Sequence, residues 1–150
     1  MKIAFLDAAT MGDVSFAPLE RLGSLLCYDS STPEEALERV SDCDVLIVNK
    51  VRVTPELIDA AHDLKLICET ATGVNNIDLE YAAKKGIPVR NVAGYSTPTV
   101  AQATFMHILS LVGSAPYFDD AVKSGRYSAS GMFTDVSVNW WELAGKTIGI

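Results

Sequence analysis

Glu69-Thr70-Ala71-Thr72-Gly73-Val74-Asn75-Asn76-Ile77-Asp78 is the stretch whose reading decides the fold. It follows an apolar run, Leu64-Lys65-Leu66-Ile67-Cys68, that reads as a buried strand. It precedes Leu79 to Lys85, which reads as a helix with Asp78 near its N-cap and Gly86 just past its end. A turn of small residues leaving the C-terminal end of a parallel strand is where doubly wound sheets bind ligands. Thr72 and Gly73 let the backbone approach a ligand closely, and their N–H groups are expected to form a concave nest for an anion such as a carboxylate. The plain structural alternative is an ordinary βα turn whose glycine takes a positive φ, and the local pattern fits both.

Outward from this stretch the chain alternates strand and helix. Toward the N-terminus, Lys2 to Leu6, Ser24 to Tyr28 and Asp44 to Val48 read as strands. A short helix is expected over Phe16 to Leu22, closed by Gly23. Thr32-Pro33-Glu34-Glu35 opens the next helix with a capping box and a proline at its first position, and Thr54-Pro55-Glu56 starts another in the same way. On the C-terminal side, Ile87 to Val92 completes a set of five strands. Continuous apolar strands in βα alternation predict a parallel sheet covered by helices on both faces.

The pattern changes after Thr97-Pro98. Thr99 to Val112 is apolar on nearly all sides, as expected of a helix buried between layers or against a second domain. Ala115 to Lys123 resembles a further helix. Gly125 to Asn139 has no clear period, a property common in functional, interface or disordered segments. Lys146-Thr147-Ile148-Gly149-Ile150 reads as a new strand on which the sequence stops, so the chain looks incomplete.

With 150 residues, 49% of them hydrophobic, the chain can bury one ordinary core. A net charge of −7 without a basic cluster argues against nucleic acid or an anionic membrane as partner. No apolar run approaches the length of a membrane span, and the N-terminal run is too short for a signal peptide. Cys27, Cys43 and Cys68 are widely spaced and read as reduced packing residues without metal-ligand spacing. A soluble cytoplasmic protein is the expectation.

Three stretches together resemble the D-2-hydroxyacid dehydrogenases, and most of all their glycerate dehydrogenase (hydroxypyruvate reductase) branch. They are Ala71-Thr72-Gly73-Val74-Asn75-Asn76-Ile77-Asp78-Leu79, Gly86-Ile87-Pro88-Val89-Arg90-Asn91-Val92 and Tyr95-Ser96-Thr97-Pro98-Thr99-Val100-Ala101-Gln102. Trp141-Glu142-Leu143-Ala144-Gly145-Lys146-Thr147-Ile148-Gly149-Ile150 is similar to that family's approach to its nucleotide loop. The resemblance covers the whole chain. It implies a flavodoxin-like substrate domain over residues 1–97, followed by the first helices and strand of a truncated Rossmann domain over 98–150. It also implies NAD or NADP as cofactor, a small 2-oxo or 2-hydroxy acid as substrate with hydroxypyruvate or glyoxylate favoured, and a homodimer formed through the nucleotide domain, to which Gly125–Asn139 belongs. By the same match Thr72, Gly73 and Val74 hold the substrate carboxylate through backbone N–H groups. Tyr95 and Ser96 line the substrate pocket, and Thr72 and Thr97 lie near the cofactor. For Tyr95 to Pro98 the local sequence fits a helix-starting turn equally well.

No glycines in the chain have the G-x-G-x-x-G spacing that lets a backbone approach a pyrophosphate. The resemblance puts that fingerprint, and the family's catalytic Arg, Glu and His, beyond Ile150, so no residue of this chain is read as catalytic. His62 is expected at a helix end facing solvent, and His107 as a packed or interface residue. The chain alone is expected to be inactive. Two other readings compete. A receiver-type signalling domain would need clustered carboxylates for magnesium at the ends of the first and third strands. Asp7 supplies one, but the third strand ends Val48-Asn49-Lys50. The other is a non-enzymatic carboxylate-binding or interaction domain derived from the dehydrogenase, whose bare Thr99–Val112 helix would need a partner or self-association to cover it.

Overall fold

Five strands, β1 (Lys2–Phe5), β2 (Ser24–Cys27), β3 (Val45–Val48), β4 (Leu66–Glu69) and β5 (Val89–Arg90), pair in parallel in the order β2-β1-β3-β4-β5. The structure is a computed structural model and describes residues 1–149. The chain divides into two compact units, Met1–Tyr95 and the remainder from Ser96 onward. The sheet and its helices α1 (Ala17–Glu20), α2 (Pro33–Arg39), α3 (Pro55–Ala60) and α4 (Leu79–Lys84) make up the first unit, with a 3-10 turn at Ala8–Met11.

Alternation along each strand sorts the core into two layers. Ala4, Leu46, Val48 and Ile67 point to the face covered by α2, α3 and α4, where they pack with Ala36, Leu57, Ile58 and Ala82. Ile3, Phe5 and Ile47 point the other way, under the 3-10 turn and α1, where Phe5 meets Phe16 edge-on at 5.5 Å. Both faces are covered, as the continuous apolar strands predict. This is the flavodoxin-like α/β arrangement expected of the first unit.

Helix starts follow the sequence closely. Thr32 Oγ1 accepts from the Glu35 N–H while the Glu35 carboxylate accepts from the Thr32 N–H, a complete capping box. Thr54 and Asp78 cap α3 and α4 through Leu57 and Tyr81 N–H groups. Gly86, just beyond α4, takes φ 72° in the left-handed region. Gly23 departs from its expected role. Its φ is not positive, and a Cβ there would lie 2.2 Å from the Met1 carbonyl oxygen, so glycine is required by close strand approach rather than by a helix end. The helix before it is correspondingly shorter, Ala17–Glu20.

β5 is also shorter than Ile87–Val92. Beyond Arg90 the chain leaves the ladder, and Asn91 and Val92 bond instead to the loop after β4. Cys43 is buried and its thiol is pushed up to about 11, chiefly by burial. Cys27 is exposed, contrary to the packing expectation, because its edge strand carries little cover.

The second unit holds α5 (Thr97–Val112), α6 (Ala115–Lys123) and α7 (Arg126–Ala129). α5 begins at the Thr97-Pro98 pair, with Ser96 as an N-cap that makes no side-chain cap bond. Ser114, at φ 50°, turns the chain into α6, and its Oγ donates to the Asn139 carbonyl. The expected burial of α5 is not met. It has no buried residue and exposes Val100, Phe105, Met106, Leu109 and Leu111. Its cover among the described residues is partial, with Ala103, Ile108 and Val112 half-buried. Residues 146–149 form no strand either, since a strand needs a pairing neighbour; Ile150 lies outside the described residues.

Candidate functional site

The strand order places a switch point between β1 and β3, because the chain leaves β1 toward β2 and returns on the other side to β3. Ligands of such sheets bind outside the C-terminal ends of the strands. Two loops lie there side by side. One follows β3, running Asn49-Lys50-Val51-Arg52-Val53. The other follows β4 and is the Thr70 to Ile77 stretch.

The first loop already holds an anion. Asp7, only 4% exposed, accepts hydrogen bonds from the N–H groups of Asn49 (2.9 Å), Lys50 (2.5 Å) and Val51 (2.9 Å). Three successive N–H groups converging on one carboxylate form a nest. Backbone donors thus occupy the one carboxylate that the receiver-type reading had offered for magnesium.

The second loop is pinned at both ends. Thr72 Oγ1 donates to the Val92 carbonyl, the Asn91 amide donates to the Thr72 carbonyl, and the Val92 N–H donates to the Ala71 carbonyl. On the opposite side the Asn76 amide donates to the Val51 carbonyl at 3.1 Å and to Glu69 Oε2 at 2.8 Å. Val53 and Ile77 form a parallel bridge between the loops. Between these anchors, the N–H groups of Thr72, Gly73 and Val74 have no acceptor among the described residues. Thr72 and Gly73 are exposed and Val74 is half-buried.

Gly73 is not at positive φ, and a Cβ built on it meets nothing within 4 Å. This corrects the expectation of a strained glycine. A side chain there has room, so the packing of the described residues does not require glycine at this position. A cleft of about 270 Å³ opens between the loops, lined by Asn49, Lys50, Ala71, Gly73, Asn75 and Asn76. Lys50 is exposed at its edge and makes no ion pair among the described residues.

Glu69 lies beneath this loop at 1% exposure. Burial holds its carboxyl above the ordinary glutamate range, and the nearby Asp7 charge adds to that, while the Asn76 amide, the Lys50 cation and the Ala71 N–H oppose it. Its Oε1 and the Asn49 Oδ1 are buried without hydrogen-bond partners.

Of the residues the sequence singled out, Thr72, Gly73 and Val74 share one loop. Tyr95 is 60% exposed in the turn that ends the first unit. Ser96 and Thr97 begin the second unit, where the Ser96 carbonyl accepts from the Val100 N–H. His62 and His107 are both exposed, so the expected packing of His107 is not met among the described residues. Sequence reasoning passed over Asn49, Lys50, Glu69 and Asn76. Asn49 and Lys50 were accessible to it, since they end an apolar strand beside the one that carries the glycine loop. Glu69 was hidden because a lone acidic residue at a strand end reads as solvated. A larger cavity, about 350 Å³, lies on the sheet face under Phe16 and Leu19. Its lining is mostly apolar.

Residues 3–141 match the family described as "D-isomer specific 2-hydroxyacid dehydrogenase, catalytic domain". The chain is 30% identical over its whole length to a hydroxypyruvate reductase of Blautia hydrogenotrophica, covering 48% of that protein. It is 29% identical to a glycerate dehydrogenase of Methylorubrum extorquens, over 99% of this chain and 48% of the relative. Among solved structures, D-lactate dehydrogenase from Aquifex aeolicus, in complex with NAD and lactic acid, superposes with a TM-score of 0.74. That alignment has 27% identity and covers 94% of this chain and 41% of the other. The chain thus spans about half the length of the relatives it matches.

Proposed function

The chain belongs to the D-isomer specific 2-hydroxyacid dehydrogenases, and from that premise we propose that it is part of an enzyme interconverting a small 2-oxo acid and its D-2-hydroxy acid with NAD(P)H, with residues 1–97 its substrate domain and 98–150 the start of its nucleotide-binding domain. Hydroxypyruvate and glyoxylate are the favoured 2-oxo acids, in keeping with the relatives named hydroxypyruvate reductase and glycerate dehydrogenase. The observation that carries the reading is the set of N–H groups of Thr72, Gly73 and Val74 without an acceptor among the described residues, in a loop whose Gly73 lines a cleft shared with Lys50.

A 2-oxo acid brings one carboxylate and an adjacent carbonyl. The carboxylate fits donors that are fixed in place and lack internal acceptors, and the fixed backbone orients the carbonyl for reaction without ordering cost at the moment of binding. Asn76 on one side and Thr72 on the other keep those donors in register. Lys50 adds a positive field at the mouth of the cleft, which favours anions and speeds their encounter. The family resemblance also assigns Tyr95 and Ser96 to the substrate pocket; neither lines the cleft between the two loops.

NAD(P)H supplies the hydride when bound. Within this chain Thr72 and Thr97 are the residues assigned beside it. The Thr72 hydroxyl and carbonyl are taken by Val92 and Asn91, so Thr72 offers its N–H and methyl group. No G-x-G-x-x-G spacing is present in these 150 residues, and the stretch alone is expected not to catalyse the reaction. A homodimer of the complete protein is part of the same reading, supported by the exposed Met132, Phe133 and Val136 in the 125–139 segment.

The test is steady-state kinetics of the full-length protein with hydroxypyruvate and glyoxylate, comparing wild type with Gly73→Val. The side chain has room in the free protein, so folding is retained, while its bulk occupies the place of the carboxylate. KM is expected to rise about tenfold or more, the equivalent of one lost carboxylate hydrogen bond. An unchanged KM overturns the carboxylate assignment. Absence of 2-oxo acid reduction by wild type overturns the enzyme reading in favour of a binding or interaction domain.

A further inference from the structure

We infer that Glu69 is the positioning residue of the glycine loop, acting through Asn76 and serving with its proton on. The inference rests on the reading of that loop as the substrate site.

The geometry is a chain of contacts from the sheet to the loop. Glu69 is the last residue of β4 and pairs in register with Val48 of β3, so its side chain enters the layer beneath both loops. Its Oε2 accepts from the Asn76 amide, whose other contact is the Val51 carbonyl of the neighbouring loop. The Asn76 carbonyl in turn accepts from the Val53 N–H at 2.7 Å, and the Ile77 N–H donates to the Val74 carbonyl at 3.0 Å. Asn76 is therefore the clasp that ties Val74, and with it the free N–H groups, to the 49–53 loop. Glu69 aims the clasp.

An ionised carboxylate in this position is poorly matched to its surroundings. One oxygen is buried without a partner, and the closest full charges oppose each other, Asp7 after β1 and Lys50 after β3. Asp7 is buried and already holds the 49–51 N–H groups, whereas Lys50 is exposed and screened by water. The neutral acid removes the repulsion with Asp7 and turns the orphan oxygen into a potential donor. Asn49 Oδ1, on the adjacent strand end, is a buried acceptor lacking a donor.

The sign of the pH dependence follows. A carboxyl held above its unfolded value of 4.5 gives stability that is full below about that pH and is lost as pH rises through the folded value. Glutamine in its place keeps the acceptor for Asn76, adds N–H donors and cannot ionise.

The experiment compares the full-length wild type with Glu69→Gln from pH 4.5 upward, recording the unfolding temperature and the KM for hydroxypyruvate. The wild type is expected to lose about 3 °C or more relative to the variant as pH rises. Over the same window its KM should climb above that of the variant, because a loosened clasp misplaces the N–H donors while the reacting groups stay the same. Parallel stability curves for the two proteins overturn the inference. A stability difference with KM curves that remain parallel supports the protonated clasp and overturns the loop as the substrate site. If Glu69→Gln does not fold, the inference is overturned directly, since the variant reproduces the neutral acid. Asn76→Ala, made both in the wild type and in the Glu69→Gln variant, supplies the coupling. The pH-dependent KM difference between those two backgrounds should shrink once the clasp is gone, while the stability difference persists because burial, not Asn76, holds the carboxyl up; an undiminished KM difference overturns the route through Asn76.

Discussion

The loops after β3 and β4 are neighbours at one sheet edge and are built from the same physical element, consecutive backbone N–H groups at the end of a parallel strand. Their uses are opposite. At Asn49-Lys50-Val51 the N–H groups converge on Asp7, a carboxylate from the chain itself. At Thr72-Gly73-Val74 they have no internal acceptor among the described residues. The filled loop shows what such a backbone does with a carboxylate, at 2.5 to 2.9 Å. The difference teaches where an anion is structure and where it is cargo. A buried anion with three donors locks β1 to β3, whereas an exposed set of donors costs little while water solvates it and is available to a ligand.

The largest way to break the comparison is to empty the filled loop. Asp7→Ala leaves three N–H groups without their acceptor in a buried setting, and should lower stability by about 3 kcal/mol or more. Chemical denaturation of the two proteins measures this. A loss below about 1 kcal/mol would mean that water replaces Asp7 freely and that the two loops do not differ. Gly73→Val sits at the other end on the same scale, with stability near that of wild type and its effect confined to KM.

Lys50→Gln sharpens the contrast from the charge side. Lys50 is exposed, so its field acts through screened water, and KM for the 2-oxo acid is expected to rise by about threefold with a weaker dependence on salt. A KM with unaltered salt dependence would remove Lys50 from the site. The smallest effect is expected for Thr72→Val, which deletes one exposed hydrogen bond to Val92 and should cost about 0.5–1 kcal/mol in unfolding experiments. A larger loss would show that the open loop, like the filled one, is held mainly by its own bonds.

Much of the fold was legible because its signals are local. Thr32-Pro33-Glu34-Glu35 announces a capping box within four residues, and the box is present. Val45-Leu46-Ile47-Val48 is apolar on both sides because both sheet faces are covered. The errors occur where a residue answers to something distant in sequence. Gly23 looked like a helix end, but its constraint is Met1 on the neighbouring strand. Val92 looked like part of a strand, but its N–H turns to Ala71. In the site, the glycine loop was visible from its small residues, while Glu69 and Asn49 were not, since burial of a polar side chain has no local sequence mark.

The sequence by itself determined the βα alternation, the helix caps, the parallel sheet and the family resemblance. Each follows from periodicity, from capping chemistry over a few residues, or from motifs read in order. Only the tertiary structure decided that Asp7 fills the first loop, that Gly73 is unstrained, that Asn76 clasps two loops over a buried Glu69, and that α5 has no buried residue. These depend on which strand ends become neighbours and on which groups lose contact with water. The sheet order β2-β1-β3-β4-β5 sets both, by bringing residues 7, 49 and 69 to one edge across more than forty positions of chain.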